Sequence, residues 1–267
     1  MLKLYHTPTS VCSIKVRLGL AEIGLDYESV VLDFSKSEQH GDTYLKLNPD
    51  GVVPTLIDND LVVLESSLIL DYLDQYYNDG KLMPADRKGA TIARHWLLRT
   101  LCIHAAINTL TFSTAARDQI LANQTPEQIN AAVAKMPDPV ARLKRLDLLA
   151  NGLESVHVSQ ALGQLRRTFS DMDDALAQQQ WVTGKDFGIS DIAILSYIDR
   201  IERLGFAGMW SEDRPRIGDW LARMQARPSY DTAVTQLIPS SVTQKTRVDG
   251  EKHWPALARH WSAGLAK

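Results

Sequence analysis

The sequence predicts a small α/β domain of element order β-α-β-α-β-β-α, followed by an all-α domain. Three observations carry this reading. A strand, a helix and a second strand fit between Leu2 and Leu32. Two short apolar runs flank Asp58-Asn59-Asp60. Beyond Asp86 the apolar residues recur in steps of three and four, the spacing of a buried helix face.

Leu2-Lys3-Leu4-Tyr5 alternates apolar and polar side chains and reads as the first strand. The run after it places Val16, Leu20 and Ile23 on one helical face and stops at Gly24. Tyr27 to Leu32, rich in Val, is a second strand, and so short a span makes the three elements a right-handed βαβ unit. Asp33 to Asp42 is polar and reads as a loop. Thr43 to Leu47 reads as a short helical turn, ended by Asn48-Pro49-Asp50-Gly51. Val52 to Ile57 and Leu61 to Leu64 form a hairpin. Pro54 has no N–H to give a ladder, so it marks an edge, a bulge or a cis bond. Glu65-Ser66-Ser67 opens a helix with the stripe Ile69, Tyr72, Leu73 and Tyr76.

The expected organisation is a first domain over residues 1–77, a linker over 78–86, a helical domain over 87–239 and an extension over 240–267. Val158, Leu162, Leu165, Phe169, Met172 and Leu176 mark a long helix within Ser155 to Gln180. Ile217, Trp220, Leu221 and Met224 mark another, ended by Arg227-Pro228. Thr125 to Gly152 is polar and broken by Met136-Pro137-Asp138-Pro139. The extension is polar and expected to pack loosely, with Trp254 and Trp261 as its docking points.

The chain of 267 residues is long enough for a sizeable core, and its 45% hydrophobic and 23% charged residues are ordinary for a soluble protein. A net charge of −3, with Lys and Arg scattered among Asp and Glu, gives no reason to expect nucleic acid as a partner. There is no apolar signal core and no run long enough to span a bilayer. Cys12 and Cys102 form neither a disulfide framework nor a CxxC pair. The expectation is a cytoplasmic protein with no structural metal.

Ser10, Cys12 and Ser13 lie where the first strand ends and the first helix begins. A helix N-terminus offers unpaired N–H groups and partial positive charge, which suits an anion. Hydroxyls there can donate to a bound thiolate, and a thiol there can itself ionise. The segment alone is better explained by Ser10 or Ser13 simply capping the helix.

The company it keeps changes the weighing. The element order, Val53-Pro54 before a hairpin, Glu65-Ser66 opening a helix and a following helical domain resemble the glutathione transferases, from Met1 to about Pro239. Ser10-Val11-Cys12-Ser13-Ile14-Lys15-Val16-Arg17 is similar to the matching segment of the zeta class and of bacterial reductive dehalogenases acting on chlorinated hydroquinones. Ser35-Lys36-Ser37-Glu38-Gln39-His40, with Leu47-Asn48-Pro49, Val53-Pro54 and Glu65-Ser66, resembles the bacterial β-aryl etherases, as does the segment around Met136-Pro137-Asp138-Pro139. Arg223 to Tyr230 resembles the end common to many transferases. Two departures stand out: Gly188 sits where the family often caps a central helix with Ser or Thr, and Val52 replaces the phi-class Gln before Val-Pro.

The resemblance implies a thioredoxin-like first domain, a homodimer, and glutathione as cosubstrate. Val53 would pair its backbone with the cysteinyl unit, as a strand adds to an open edge, and a cis bond before Pro54 would turn those groups outward. Glu65 would face the γ-glutamyl ammonium and Ser66 the adjacent carboxylate. Gln39 and His40 would reach the glycyl carboxylate, although His40 is nearly as well explained as a solvated loop residue. A free thiol titrates near ~8.5. A charge-assisted hydrogen bond of roughly 1.5–3 kcal/mol is enough to bring the glutathione thiol to about neutral pH, and Ser10 is the first choice of donor. Cys12 is either a packed thiol or donor, or a nucleophile for thiol exchange, and Ser13 is a second donor or an in-helix hydroxyl.

The second substrate is expected to be a hydrophobic, aromatic-bearing electrophile in a pocket between the domains. His95, Trp96, Arg99, Cys102, Ile103 and Asn108 are at helical spacings that could face it. The expected reaction is β-aryl ether cleavage with release of a phenol. The alternatives are reductive thiol exchange through Cys12, zeta-type isomerisation and a non-catalytic binding protein of the same fold.

Overall fold

β1 (Leu2–His6) pairs in parallel with β2 (Glu28–Val31) and antiparallel with β3 (Thr55–Asp58), which pairs antiparallel with β4 (Leu61–Val63). The sheet order is therefore β2-β1-β3-β4, with Tyr5 of β1 opposite both Val30 and Thr55. These coordinates are a computed structural model in which residues 1–263 are described. The parallel pair is joined through α1 (Val11–Ile23), which ends at Gly24 with φ 78°, a left-handed conformation that glycine adopts at no steric cost.

α1 is buried on two opposite sides. Val16 and Leu20 pack with Leu2, Leu4, Leu56 and Ile69 against the sheet. Val11, Ile14 and Leu18 join Leu70 in the core of the helical domain. The Val16, Leu20 and Ile23 face expected from spacing is thus one of two. This double burial also draws in Lys15 and Arg17, each only 1% exposed.

Between β2 and β3 the expected loop is partly ordered into 3₁₀ turns at Phe34–Lys36 and Glu38–His40, followed by α2 (Asp42–Leu45). Asp33 causes the first turn: its carboxylate accepts from the Ser35 amide at 2.9 Å, and its own amide donates to Glu38 at 2.7 Å. α3 (Ser66–Tyr77) buries Ile69 and Leu73 as expected. Tyr76 does not complete the stripe, since it is 71% exposed and rests 4.8 Å from the Tyr72 ring. Buried Asp74 accepts the backbone N–H groups of Leu82 at 2.9 Å and Met83 at 3.1 Å, tying the following segment back onto α3.

The rest is helical: α4 (Arg87–Ser113), α5 (Ala115–Asn123), α6 (Pro126–Ala134), α7 (Pro139–Asn151), α8 (Val156–Gln178), α9 (Ile189–Arg203), α10 (Pro215–Gln225), α11 (Pro228–Tyr230), α12 (Ser240–Glu251) and α13 (Trp254–Ala263). The Met136-Pro137 break separates α6 from α7, which Asp138 caps by accepting the Val140 amide at 2.8 Å. All six α8 positions expected to be buried are so. No helix among the described residues is long and apolar enough to cross a membrane.

The extension differs from expectation. It forms two helices, and Trp261 is 4% exposed, with Phe169 5.9 Å away and Arg166 5.0 Å over its ring. Arg166 also donates to the carbonyls of His260 at 2.6 Å and Trp261 at 2.7 Å. A guanidinium that stacks on the ring and binds the helix end holds this element firmly. The last four residues of the expected extension, 264–267, lie outside the described residues.

Candidate functional site

The turn after β1 is built on Arg17. Its guanidinium donates to the carbonyls of Thr7 at 3.0 Å, Pro8 at 2.7 Å and Ala233 at 2.9 Å. Burial and the Arg17 charge push the His6 imidazole down to about 4. The neutral ring accepts from Arg17 at Nδ1 (3.2 Å) and, as the Nε2–H tautomer, donates to the Ser29 hydroxyl at 2.7 Å. This network sets the start of α1. There Ser10 is the N-cap, its Oγ accepting the Ser13 amide at 3.3 Å. That bond uses a lone pair and leaves the Ser10 O–H proton free to donate.

Ser10 lines a cleft of about 520 Å³ between the sheet domain and the helices. On the sheet side the cleft meets Phe34, Gln39, His40 and Val53. Gln39 Oε1 and His40 Nδ1 are buried without a hydrogen-bond partner. A buried polar atom left unpaired costs roughly 1–3 kcal/mol, so both are poised for a ligand group. The Val53–Pro54 peptide is cis. Tyr44 Oη and Asn48 Nδ2 brace this turn by donating to the Val52 carbonyl at 2.6 and 2.9 Å. Among the described residues the Val53 N–H and C=O take part in no hydrogen bond.

Glu65 and Ser66 stand at the start of α3. Glu65 has φ 65° and ψ 111°, a sparsely populated conformation for a residue with a Cβ. It is exposed, whereas Ser66 is buried. Neither lines the cleft, nor does Pro54.

Neither Cys12 nor Ser13 is among the residues that line the cleft, although Cys12 is half-buried beside His104, which is. Ser13 is fully buried, and its Oγ accepts the Thr7 amide at 3.5 Å. Its hydroxyl supports the turn, and Ser13 is not among the residues that line the cleft. Cys12 belongs to a polar cluster under the first turn of α1. Its Sγ is 3.7 Å from Tyr197 Oη on α9. Lys15 lies over the Tyr197 ring at 5.0 Å and donates to Ser67 at 2.9 Å and Thr100 at 3.1 Å. The His104 ring centroid is 6.1 Å from that of Tyr197. Burial pushes the Cys12 thiol up, but His104, Lys15 and the Ser66 hydroxyl outweigh it and bring the thiol down to about 6. Burial lowers the Lys15 ammonium to about 8, against the pull of Cys12 and Glu65. Cys12 therefore has thiolate character at neutral pH.

Of the six α4 residues expected at the electrophile pocket, Asn108 alone lines the cleft. His95 and Cys102 are exposed on other faces, while Trp96 and Ile103 are in the core. Arg99 stacks on Trp96 and pairs with Asp171 at 2.6 Å. The face of α4 that meets the cleft carries His104, Ile107, Asn108, Thr111 and Phe112. Arg145 of α7 and Thr246 of α12 complete that side. Sequence reasoning missed Lys15, Tyr197, His104 and Arg145. Lys15 alone had a local signal, lying one turn after Cys12 on the same helix face. No group of three or more His, Cys, Asp or Glu side chains among the described residues is arranged to hold a metal ion.

The N-terminal-domain model of the glutathione S-transferases matches residues 1–75, and their C-terminal-domain model matches residues 140–223. The chain is 28% identical over 237 residues to protein LigF of Sphingobium sp. strain SYK-6, covering 85% of this chain and 91% of that protein. It is 28% identical over 240 residues to the tetrachloro-p-hydroquinone reductive dehalogenase of Sphingobium chlorophenolicum, covering 87% and 95%. Among solved structures, the β-etherase LigF of Sphingobium sp. strain SYK-6 superposes with a TM-score of 0.74 at 26% identity, covering 87% of this chain and 98% of that one.

Proposed function

The chain belongs to the glutathione S-transferase family, the two domain models together matching more than half of its length, and from that premise we propose that it cleaves β-aryl ethers with glutathione as cosubstrate. The observation that carries this reading is Ser10, a cleft-lining hydroxyl whose proton is left free by its capping bond. Ser10 donates to the glutathione sulfur and holds it as a thiolate at the start of α1, where the helix dipole adds to the effect. Gln39 and His40 supply unpaired polar atoms for the glycyl carboxylate, and Val53 offers its free backbone edge to the cysteinyl unit. Glu65 and Ser66 take the γ-glutamyl end.

The thiolate attacks the carbon that bears the aryloxide. A C–S bond forms as the C–O bond breaks, the electron pair leaves with the aryl oxygen, and that oxygen takes a proton to become a phenol. Positioning the nucleophile against its target supplies the rate gain. The apolar and aromatic lining from Phe34, Ile107 and Phe112 suits an aryl group. The similarity to LigF supports the choice of ether.

A second reading rests on the Cys12 cluster, together with the similarity to the reductive dehalogenase. In it the Cys12 thiolate attacks the sulfur of a glutathionyl adduct, an S–S bond forms, and the C–S pair leaves with the organic fragment and takes a proton. A second glutathione then releases Cys12 as glutathione disulfide.

Glutathione-dependent phenol release from a β-aryl ether, measured on wild type, Ser10→Ala and Cys12→Ala, separates the two. Ether cleavage through Ser10 expects a fall of about ten- to a hundredfold in Ser10→Ala, the equivalent of roughly 1.5–3 kcal/mol, and a near-normal Cys12→Ala. The reverse order, with a glutathione adduct trapped on Cys12, overturns it.

A further inference from the structure

Twenty-five residues line the cleft and none of them is Asp or Glu, although the chain as a whole is acidic. Three are arginines, and they differ. Arg203 pairs with Asp199 at 2.6 Å. Arg200 donates to the carbonyl of Thr9. Arg145 has neither an ion pair nor a hydrogen bond among the described residues. Its guanidinium carbon instead lies over the Phe112 ring, 3.2 Å from the centroid.

We infer that Arg145 and Phe112 form the electrophile's recognition subsite, and that this subsite selects an aromatic substrate bearing a carboxylate. The inference rests on the ether-cleavage reading for what happens to that substrate, but not for its binding. A guanidinium has five N–H donors in one plane, and stacking on an aromatic face leaves all of them pointing outward around the edge. Such a fork matches the two oxygens of a carboxylate. Taking a charge partly out of water without a partner is costly, and a bound anion removes that cost. Burial does draw the guanidinium down to about 10, which leaves it protonated throughout the neutral range.

The position also fits. Arg145 is on α7 and Phe112 at the end of α4, whereas the groups assigned to glutathione (Gln39, His40 and Val53) come from the sheet domain. His104, the other titratable group on the α4 side of the cleft, is raised from its usual value, against the effect of burial, by Cys12.

Calorimetric binding of phenoxyacetate and of neutral phenoxyacetamide to the full chain saturated with S-methylglutathione tests this without requiring turnover. The acid is expected to bind about tenfold or more tightly than the amide. Arg145→Gln should abolish that preference and Arg145→Lys, which keeps the charge but loses the fork, should retain part of it. The affinity for S-methylglutathione should stay within about twofold in both variants. Equal binding of acid and amide by wild type overturns the inference, and so does loss of glutathione affinity in Arg145→Gln with the acid preference intact. If no β-aryl ether is cleaved while the acid preference persists and depends on Arg145, the ether reading fails and the subsite stands.

Discussion

The Sγ of Cys12 lies 3.7 Å from the phenol oxygen of Tyr197, a residue 185 positions further along the chain. The contact crosses from the first turn of α1 to the middle of α9. The Tyr197 hydroxyl is itself driven well above its usual value, by burial first and by Cys12 next. It stays protonated and can donate to the sulfur, so the negative charge rests on the thiol.

The Cys12 thiol should therefore titrate near about 6, seen as the 240 nm thiolate absorbance of wild type minus that of Cys12→Ala, which retains Cys102. His104→Gln should move this midpoint upward, towards the ordinary thiol range of about 8.5, because it removes the largest of the lowering influences. A folded value below the unfolded one stabilises the protein above the unfolded pKa, and the gain is lost as pH falls through the folded pKa. The stability advantage of wild type over Cys12→Ser should accordingly shrink as pH falls from about 9 to about 6. A midpoint that ignores His104 would refute the assignment.

Asp191 is the buried carboxylate on which the helical domain turns. It accepts from the Val182 amide at 3.0 Å, the Trp220 indole at 2.8 Å and the Gly188 amide at 3.2 Å. Asp191→Ala strands three donors and should cost about 3–5 kcal/mol in urea unfolding at pH 7, since each unpaired buried group costs roughly 1–3 kcal/mol and local relaxation recovers part. Burial raises this carboxyl to about 6 despite those bonds. The folded state keeps its proton between about 4 and about 6 while the unfolded state releases it, so this residue's contribution should fall as pH rises through that window. Unfolding midpoints of wild type and Asp191→Ala followed from pH 4 to 7 give the difference directly.

Gly188 departs from the Ser or Thr often found at this cap, and the structure supplies a reason. A Cβ at residue 188 would sit 2.8 Å from the Leu82 carbonyl oxygen, which already accepts the Ile189 amide at 2.9 Å. Gly188→Ser restores a good N-cap yet should destabilise the protein by about 1 kcal/mol or more, because overpacking against backbone outweighs the few tenths of a kcal/mol separating Ser from Gly at a cap. Thermal unfolding of the variant checks this: a higher midpoint would show that the linker yields.

Features that one element determines by itself were legible in the sequence. The α8 stripe from Val158 to Leu176 is a property of that helix's own spacing, and Ser10 caps α1 through a hydrogen bond three residues long. The hairpin around Asp58-Asn59-Asp60 and the break at Met136-Pro137 follow from local turn chemistry. What depends on the meeting of distant elements was not legible. The cleft takes the His104, Asn108 and Phe112 side of α4 rather than the His95, Arg99 and Cys102 side, and that choice is made by how α8 and α9 pack against α4. The burial of Lys15 comes from α1 being covered on both sides, by the sheet and by the helical domain. The extension looked loose because its composition is polar, but two tryptophans and one arginine anchor it.

That extension reaches the cleft. Val242, Thr243 and Thr246 of α12 line it, while α13 packs against α8 through Trp261. The two helices have separable jobs. Trp261→Ala removes a buried ring from between Phe169 and Arg166 and should cost about 3–5 kcal/mol, the range for truncating a large core aromatic. The double variant Val242→Ala with Thr246→Ala trims partly exposed side chains and should leave stability within about 0.5 kcal/mol. It enlarges the helical side of the cleft alone, so it should raise KM for the electrophile several-fold and leave KM for glutathione unchanged. Steady-state kinetics with each substrate varied in turn reads out the split. A double variant that alters glutathione KM instead would put the cosubstrate under α12 and require the two halves of the cleft to be exchanged.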